Sequence, residues 1–254
     1  MLLDWYKMAS YEIGEHVSSC VTAFAVGSCE QHSEHLPVGT DGFLGDAILR
    51  KAAERAKNKV LALPVICYGY SPHHSDFKGY VTLAQDTIKS LILDVCNSIY
   101  SNGFDKILIL NCHGGNQPAL QIAINELGET HEMSPVLVRY WDLIADEIPK
   151  VRDTGIGGMG HAGEFETSLM KYYFPALVFR DKISEHSPAN GSKWHNPDMF
   201  AKNSIYIYKP FKRYSEYGNI GQPQFATNEK GEIISRIIVK RLAELFDYYS
   251  ANNL

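Results

Sequence analysis

Glu30, His32 and Asp41 fall inside one fifteen-residue stretch, GSCEQHSEHLPVGTD (27–41), directly after the apolar run VTAFAV. If the chain stays extended past that run, Glu30 and His32 at i and i+2 point to one side. A carboxylate and an imidazole together suit a divalent transition metal such as zinc, manganese or iron. Asp41, nine residues after His32, can return to the same place and bridge two ions through its two oxygens. The competing reading is a solvated loop in which Asp41 caps a helix beginning near Gly42.

Two further stretches carry chemistry of the same kind. In NCHGGN (111–116) His113 precedes two glycines, which permit close backbone approach and unusual φ values. The helix start beyond would offer free N–H groups to an anion. With neither GxGxxG nor a Walker lysine in this stretch, however, a catalytic or ligand histidine is the better reading. In GIGGMGHAGEFETS (155–168) four glycines lead to His161, and Glu164 and Glu166 follow at a helix start. The helix dipole favours carboxylates there, which gives Glu164 an adequate capping role. The i, i+2 spacing predicts that one of the two glutamates faces solvent. A glycine loop that delivers a histidine is harder to explain by packing, and three such clusters in one chain favour a dinuclear metal hydrolase. A fourth stretch, SPHHSDFKGYVTL (71–83), offers His73 and His74 either as the lining of a substrate pocket or as exposed loop residues.

Elements that could position these groups alternate along the chain as in an α/β layer architecture. Strands are expected at 21–27, 60–66, 106–111 and 135–141, with Pro64 marking an edge, a bulge or an early end of the second. Helices are expected at 43–59, 86–102 (closed by Gly103), from Gln117 with Pro118 in its first turn, at 163–174 and at 232–249. In open α/β sheets sites gather beyond the carboxyl ends of the strands, which would place the polar clusters in one crevice. The 185–230 stretch, rich in Asn, Gly, Pro, Tyr and Trp, has weak periodicity and is expected to cover the site or to contact a subunit. Without an internal repeat or a linker, residues 1–254 are expected to form a single domain.

Composition narrows the class. Residues number 254, with 45% apolar, 21% charged, net charge −5 and a pI near 6.1. There is thus no broad electropositive field for nucleic acid or anionic membranes. Apolar runs are far short of the roughly 20 residues of a membrane span, and no secretory leader pattern opens the chain. Five cysteines without a CxxC pair imply a reducing, cytoplasmic setting. Cys29 and Cys112 lie within the polar motifs, where packing at a strand end is the commoner role.

The E-Q-H-x-x-H-L-P-x-x-T-D, N-x-H-G-G-N and G-H-A-G-E-x-E-T-S segments, with SPHHSDFKGYVTL, together resemble the creatininase family, in that family's order over roughly residues 20–175. The resemblance implies a three-layer α/β/α sandwich with a mostly parallel central sheet. It also implies two divalent metal ions (zinc, manganese or iron) held by Glu30, His32, Asp41, His113 and Glu166, with Asp41 bridging. His161 would be the catalytic acid/base, with Glu164 beside it among the catalytic positions. The implied partners are a small-molecule substrate and further copies of the chain, often six. Two positions depart from the pattern. Ser33-Glu34 stands where the family usually has Gly-Pro, and Gly114-Gly115 stands where creatininase proper looks to carry a Tyr-Glu pair. The implied reaction is hydrolysis of a C–N bond in an amide, cyclic amide or formamide other than creatinine. Alternatives are C–C hydrolysis of a cyclic keto-sugar on the same metals, and a ligand-binding homologue without catalysis.

Overall fold

A computed structural model describes residues 1–17, 19–185 and 191–252. Five parallel strands form one sheet: β1 (Leu2–Asp4), β2 (Cys20–Val26), β3 (Lys59–Ala62), β4 (Ile107–Asn111) and β5 (Val136–Arg139), in the order β1-β3-β2-β4-β5. Every residue of β2 and β4 is buried, as expected of inner parallel strands covered on both faces. Val21, Ala23, Ala25, Leu108 and Leu110 face one helical layer. It is built from α2 (Thr40–Arg55), α5 (Glu164–Tyr173) and α6 (Asn228–Ala251). Phe24, Val26, Ile107 and Ile109 face the other, built from α3 (Gln85–Ser101) and α4 (Gln117–Thr130). The three-layer sandwich is therefore present.

The expected strands and helices occur with shifted ends, and two short elements were not foreseen. One is β1; the other is α1 (Ser10–Gly14). With three residues, β1 is too short to show an alternation. It covers β3, so Pro64 marks an early end of an inner strand rather than an edge, and 136–139 becomes the fifth strand instead of the fourth. Up to the start of α6 at Asn228, the 185–230 stretch holds only short 3-10 turns among its described residues, and residues 186–190 of it lie outside the description. All five cysteines are free. Among the described residues no helix is long and apolar enough to cross a membrane.

Candidate metal centre

The segments after β2, β3 and β4 and the loop entering α5 converge beyond the carboxyl ends of the strands. Gly27, just past β2, makes this closure possible: a Cβ there would stand 2.7 Å from the backbone nitrogen of Gly42. Because the two backbones touch, Asp41 in the first turn of α2 is brought to Glu30. Asp41 is inside the helix rather than its cap, since Gly39 holds the N-cap position. Asn111, the last residue of β4, accepts the His113 N–H on its side-chain oxygen at 3.1 Å. His74 ends the 3-10 turn Pro72–His74.

Three histidines are oriented by backbone carbonyls. His32 Nδ1 lies 3.2 Å from the Glu30 carbonyl, His113 Nε2 lies 3.0 Å from that of Tyr70, and His161 Nε2 lies 2.6 Å from that of Gln31. A carbonyl only accepts, so each of these nitrogens carries a proton. The opposite nitrogens point at carboxylates. His32 Nε2 is 3.1 Å from Asp41 Oδ1, and His113 Nδ1 is 3.1 Å from Glu30 Oε2 and 3.5 Å from Asp41 Oδ2. His161 Nδ1 is 3.6 Å from Glu30 Oε1. Both oxygens of Glu30 and Oδ2 of Asp41 are buried without a hydrogen-bond partner. Buried anionic oxygens facing imidazole nitrogens fit an intervening cation, because orphaned charge is otherwise costly.

Four triads have donor atoms within 4.8 Å of one another: Glu30–His32–Asp41, His32–His161–Glu166, Glu30–His73–His113 and Glu30–His74–His161. All five sequence-derived metal positions and His161 thus meet in one place. His74, left open between pocket and loop by sequence, is fully buried in the cluster, with Nε2 3.3 Å from Glu30 Oε1. Its ring state follows from Gln31. That amide accepts the Ser33 N–H on Oε1 (2.7 Å) and donates from Nε2 to the Gly218 carbonyl (3.0 Å) and to His74 Nδ1 (3.0 Å). The proton of His74 therefore sits on Nε2, toward Glu30. Ser33, in the place of the family's usual glycine, adopts φ 58°, a left-handed conformation that favours glycine.

Protonation reports the same electrostatics. Burial alone would lower the pKa of His32, but Asp41, then Glu166 and Glu30, raise it to about 10. Burial opposes His113 in the same way, and Glu30 followed by Asp41 raise it to about 9. Burial, partly offset by His32, lifts Glu166 to about 7. His161 is held well below the ordinary histidine value by burial, reinforced by His32 and His74. Burial raises the Cys112 thiol well above its usual range, the behaviour of a packed cysteine rather than a nucleophile.

Glu164 and Glu166 correct one expectation, since neither faces solvent. Being two apart on α5 they point different ways. Glu166 turns to the cluster and accepts the Ala162 N–H at 2.6 Å. Glu164 points away from it and is saturated elsewhere, by Lys230 Nζ at 2.5 Å, Thr154 Oγ1 at 2.5 Å and the N–H groups of Asp153 and Thr154. Lys230, 66 residues away in sequence, lies on α6, whose periodicity concealed a buried cation.

A cavity of about 760 Å³ opens above the cluster. Phe211, from the irregular stretch, lies over it with ring centroids 3.9 Å from His74, 4.8 Å from His161 and 5.3 Å from His73. Neither Phe211 nor Gln31 stood out in sequence, because an aromatic in a loop and a glutamine beside a histidine carry no spacing signal.

Comparison with known proteins identifies the family and agrees with the fold. The family model described as "Creatininase: Creatinine amidohydrolase" matches residues 6–246. The chain is 27% identical to a creatinine amidohydrolase of Pseudomonas putida, over 95% of this chain and 93% of that one. It is also 27% identical to a 3-dehydro-scyllo-inosose hydrolase of Thermotoga maritima, over 97% and 85%. Its fold superposes with a TM-score of 0.80 on a manganese creatininase (25% identity, 96% and 97% covered). The score is also 0.80 on a mutant creatininase of Zn-Zn type (26% identity, 95% and 96% covered).

Proposed function

The chain belongs to the creatininase family of metal-binding hydrolases, and from that premise we propose a dinuclear site that hydrolyses a C–N bond of a small molecule. The carrying observation is the set of partnerless buried oxygens on Glu30 and Asp41 facing the second ring nitrogens of His32, His113 and His161. Glu30 and His113 would hold one ion, His32 and Glu166 the other, and Asp41 would bridge them, with zinc, manganese or iron as the candidates.

Two such ions supply a water of lowered pKa and a Lewis acid for the carbonyl. The protein's own residues do the rest. His161 keeps Nε2–H on the Gln31 carbonyl and leaves Nδ1 free over the floor of the cavity. Its depressed pKa keeps it neutral at pH 7, able to take the proton of the attacking water and pass it to the leaving nitrogen. Phe211 excludes solvent from the histidines. The pairing of Glu164 with Lys230 supports leaving it out of this set.

Creatinine is not the expected substrate. A Cβ at Gly115 would lie 2.3 Å from the Tyr70 carbonyl, so the backbone here has no room for the side chain that creatininase proper looks to carry at that place. C–C hydrolysis of a cyclic keto-sugar is the second reading, favoured by the likeness to the inosose hydrolase over 97% of the chain. A purely ligand-binding role is disfavoured because all five ligand positions are filled by suitable side chains. Residues 1–254 acting as one domain in a homo-oligomer, a hexamer by resemblance, complete the proposal.

Metal analysis of protein purified without chelator, followed by assay against formanilides, hydantoins and cyclic keto-inositols, tests it. Two ions per chain with amide turnover is the expected result. Absence of stoichiometric metal removes the basis of the reading, and turnover confined to the keto-inositols selects the C–C reaction.

A further inference from the structure

The cavity above the cluster joins two chemically different ends. Its floor carries Glu30, Asp41 and Glu166, and two divalent ions bound there leave that floor with a net positive charge. Its outer wall comes from the 193–213 stretch. That stretch holds five cations (Lys193, Lys202, Lys209, Lys212 and Arg213) against one acid, Asp198, in a chain whose acids outnumber Lys and Arg by 29 to 24. Lys202 and Lys209 line the cavity.

Neither lysine is neutralised by the cavity's own acids. Asp198 is buried and committed to Arg152 Nη2 at 2.7 Å, with the N–H groups of Gly157 and Met159 at 2.7 and 3.0 Å. Asp142 is held by Arg139 Nε at 2.6 Å. Among the described residues no carboxylate forms an ion pair with Lys202 or Lys209, and Lys209 Nζ sits 4.0 Å over the Tyr214 ring. Solvation at the surface would be the ordinary account of two such cations, Lys202 exposed and Lys209 half-buried. Here, however, they stand on the wall of the cavity that holds the metal cluster, between aromatic faces and opposite a floor made cationic by its ions. Field lines in such a cleft concentrate anions.

We propose that the substrate is an anion: a planar amide bearing a carboxylate or phosphate, which Lys202 and Lys209 hold while the amide reaches the floor. The aromatic lining supplies the planar contact, through His73, Phe211, Tyr208 and Tyr214. This deepens the hydrolase reading and rests on it.

Three para-substituted benzohydroxamates test the subsite on manganese-loaded protein by calorimetry: the neutral 4-carboxamide, the 4-carboxylate and the 4-phosphonate. The hydroxamate anchors each probe on the ions, so only the far substituent differs. The expected result is binding of one anionic probe about fivefold or more tighter than the carboxamide at low salt, with the advantage shrinking as salt rises. The preferred anion distinguishes carboxylate from phosphate recognition. In K202A/K209A the advantage should fall to within about twofold while the carboxamide binds as before. Equal affinities for all three probes, or an advantage that survives both substitutions, overturns the subsite and leaves the hydrolase reading standing. Failure of all three probes on protein shown to carry its ions overturns the reading of an open metal floor, and the subsite with it.

Discussion

His113 directs Nδ1 at Glu30 Oε2 across 3.1 Å, and it does so because its other nitrogen is tied to the Tyr70 carbonyl at 3.0 Å. Gly115 lies against that tie: a Cβ there would stand 2.3 Å from the same carbonyl and 2.4 Å from His113 Nε2. Gly115→Ala must move one or the other. The expected outcome is a metal affinity lowered about 10–100-fold and a stability loss of about 1–3 kcal/mol. Competition with a fluorescent chelator and urea unfolding read the two; wild-type metal affinity in the variant would show that the tie does not matter.

His74 does for Glu30 what Tyr70 does for His113. Gln31 fixes its proton on Nε2, facing Glu30 Oε1 at 3.3 Å. His74→Ala should weaken metal binding about 10–100-fold, the range for partners that orient a ligand. His74→Asn, which can still donate, should recover part of it. If both variants bind ions as the wild type does, His74 is only packing.

His161 should separate chemistry from metal binding. His161→Asn is expected to retain two ions per chain while turnover of the best amide falls about 10²–10⁴-fold. Mass spectrometry for metal content beside the rate decides it, because loss of an ion would make His161 a ligand instead of the acid/base.

Glu164 and Lys230 should act through stability. Removing one partner of a buried pair typically costs about 3–5 kcal/mol, whereas replacing both with apolar groups is near neutral. Glu164→Ala should therefore lower the urea midpoint strongly, and Glu164→Leu with Lys230→Met should restore much of it. Metal content and the rate per folded molecule should stay unchanged. A Glu164→Gln protein of normal stability and hundredfold lower turnover would return Glu164 to the catalytic set.

Asp198 predicts an acid limb of stability. Burial opposes its ionisation, but Arg152 and the N–H groups of Met159, Phe200 and Gly157 hold its pKa below the usual 3.8. A depressed carboxylate contributes fully above its unfolded value of about 3.9 and loses that contribution as pH falls through the folded value. Asp198→Asn should therefore be less stable than wild type at pH 7, and the gap should narrow below about pH 4. A gap that does not change with pH would count against this ionisation.

The sequence by itself determined the chemistry on offer and the layers that carry it. Runs such as KILILN and VTAFAV read as covered strands, and the polar clusters that follow them carry ligand-type side chains. Periodicity and residue type are local properties, so Glu30, His32, Asp41, His113, His161 and Glu166 were legible one motif at a time. Only the tertiary structure decided which groups meet and in what state. The direction of the His113 and His161 ring protons depends on carbonyls distant in sequence, those of Tyr70 and Gln31. Glu164 and Glu166 share one helix turn and one motif. Their surroundings differ because α6 brings Lys230 to the first and the cluster surrounds the second, and such long-range pairing leaves no period in the chain.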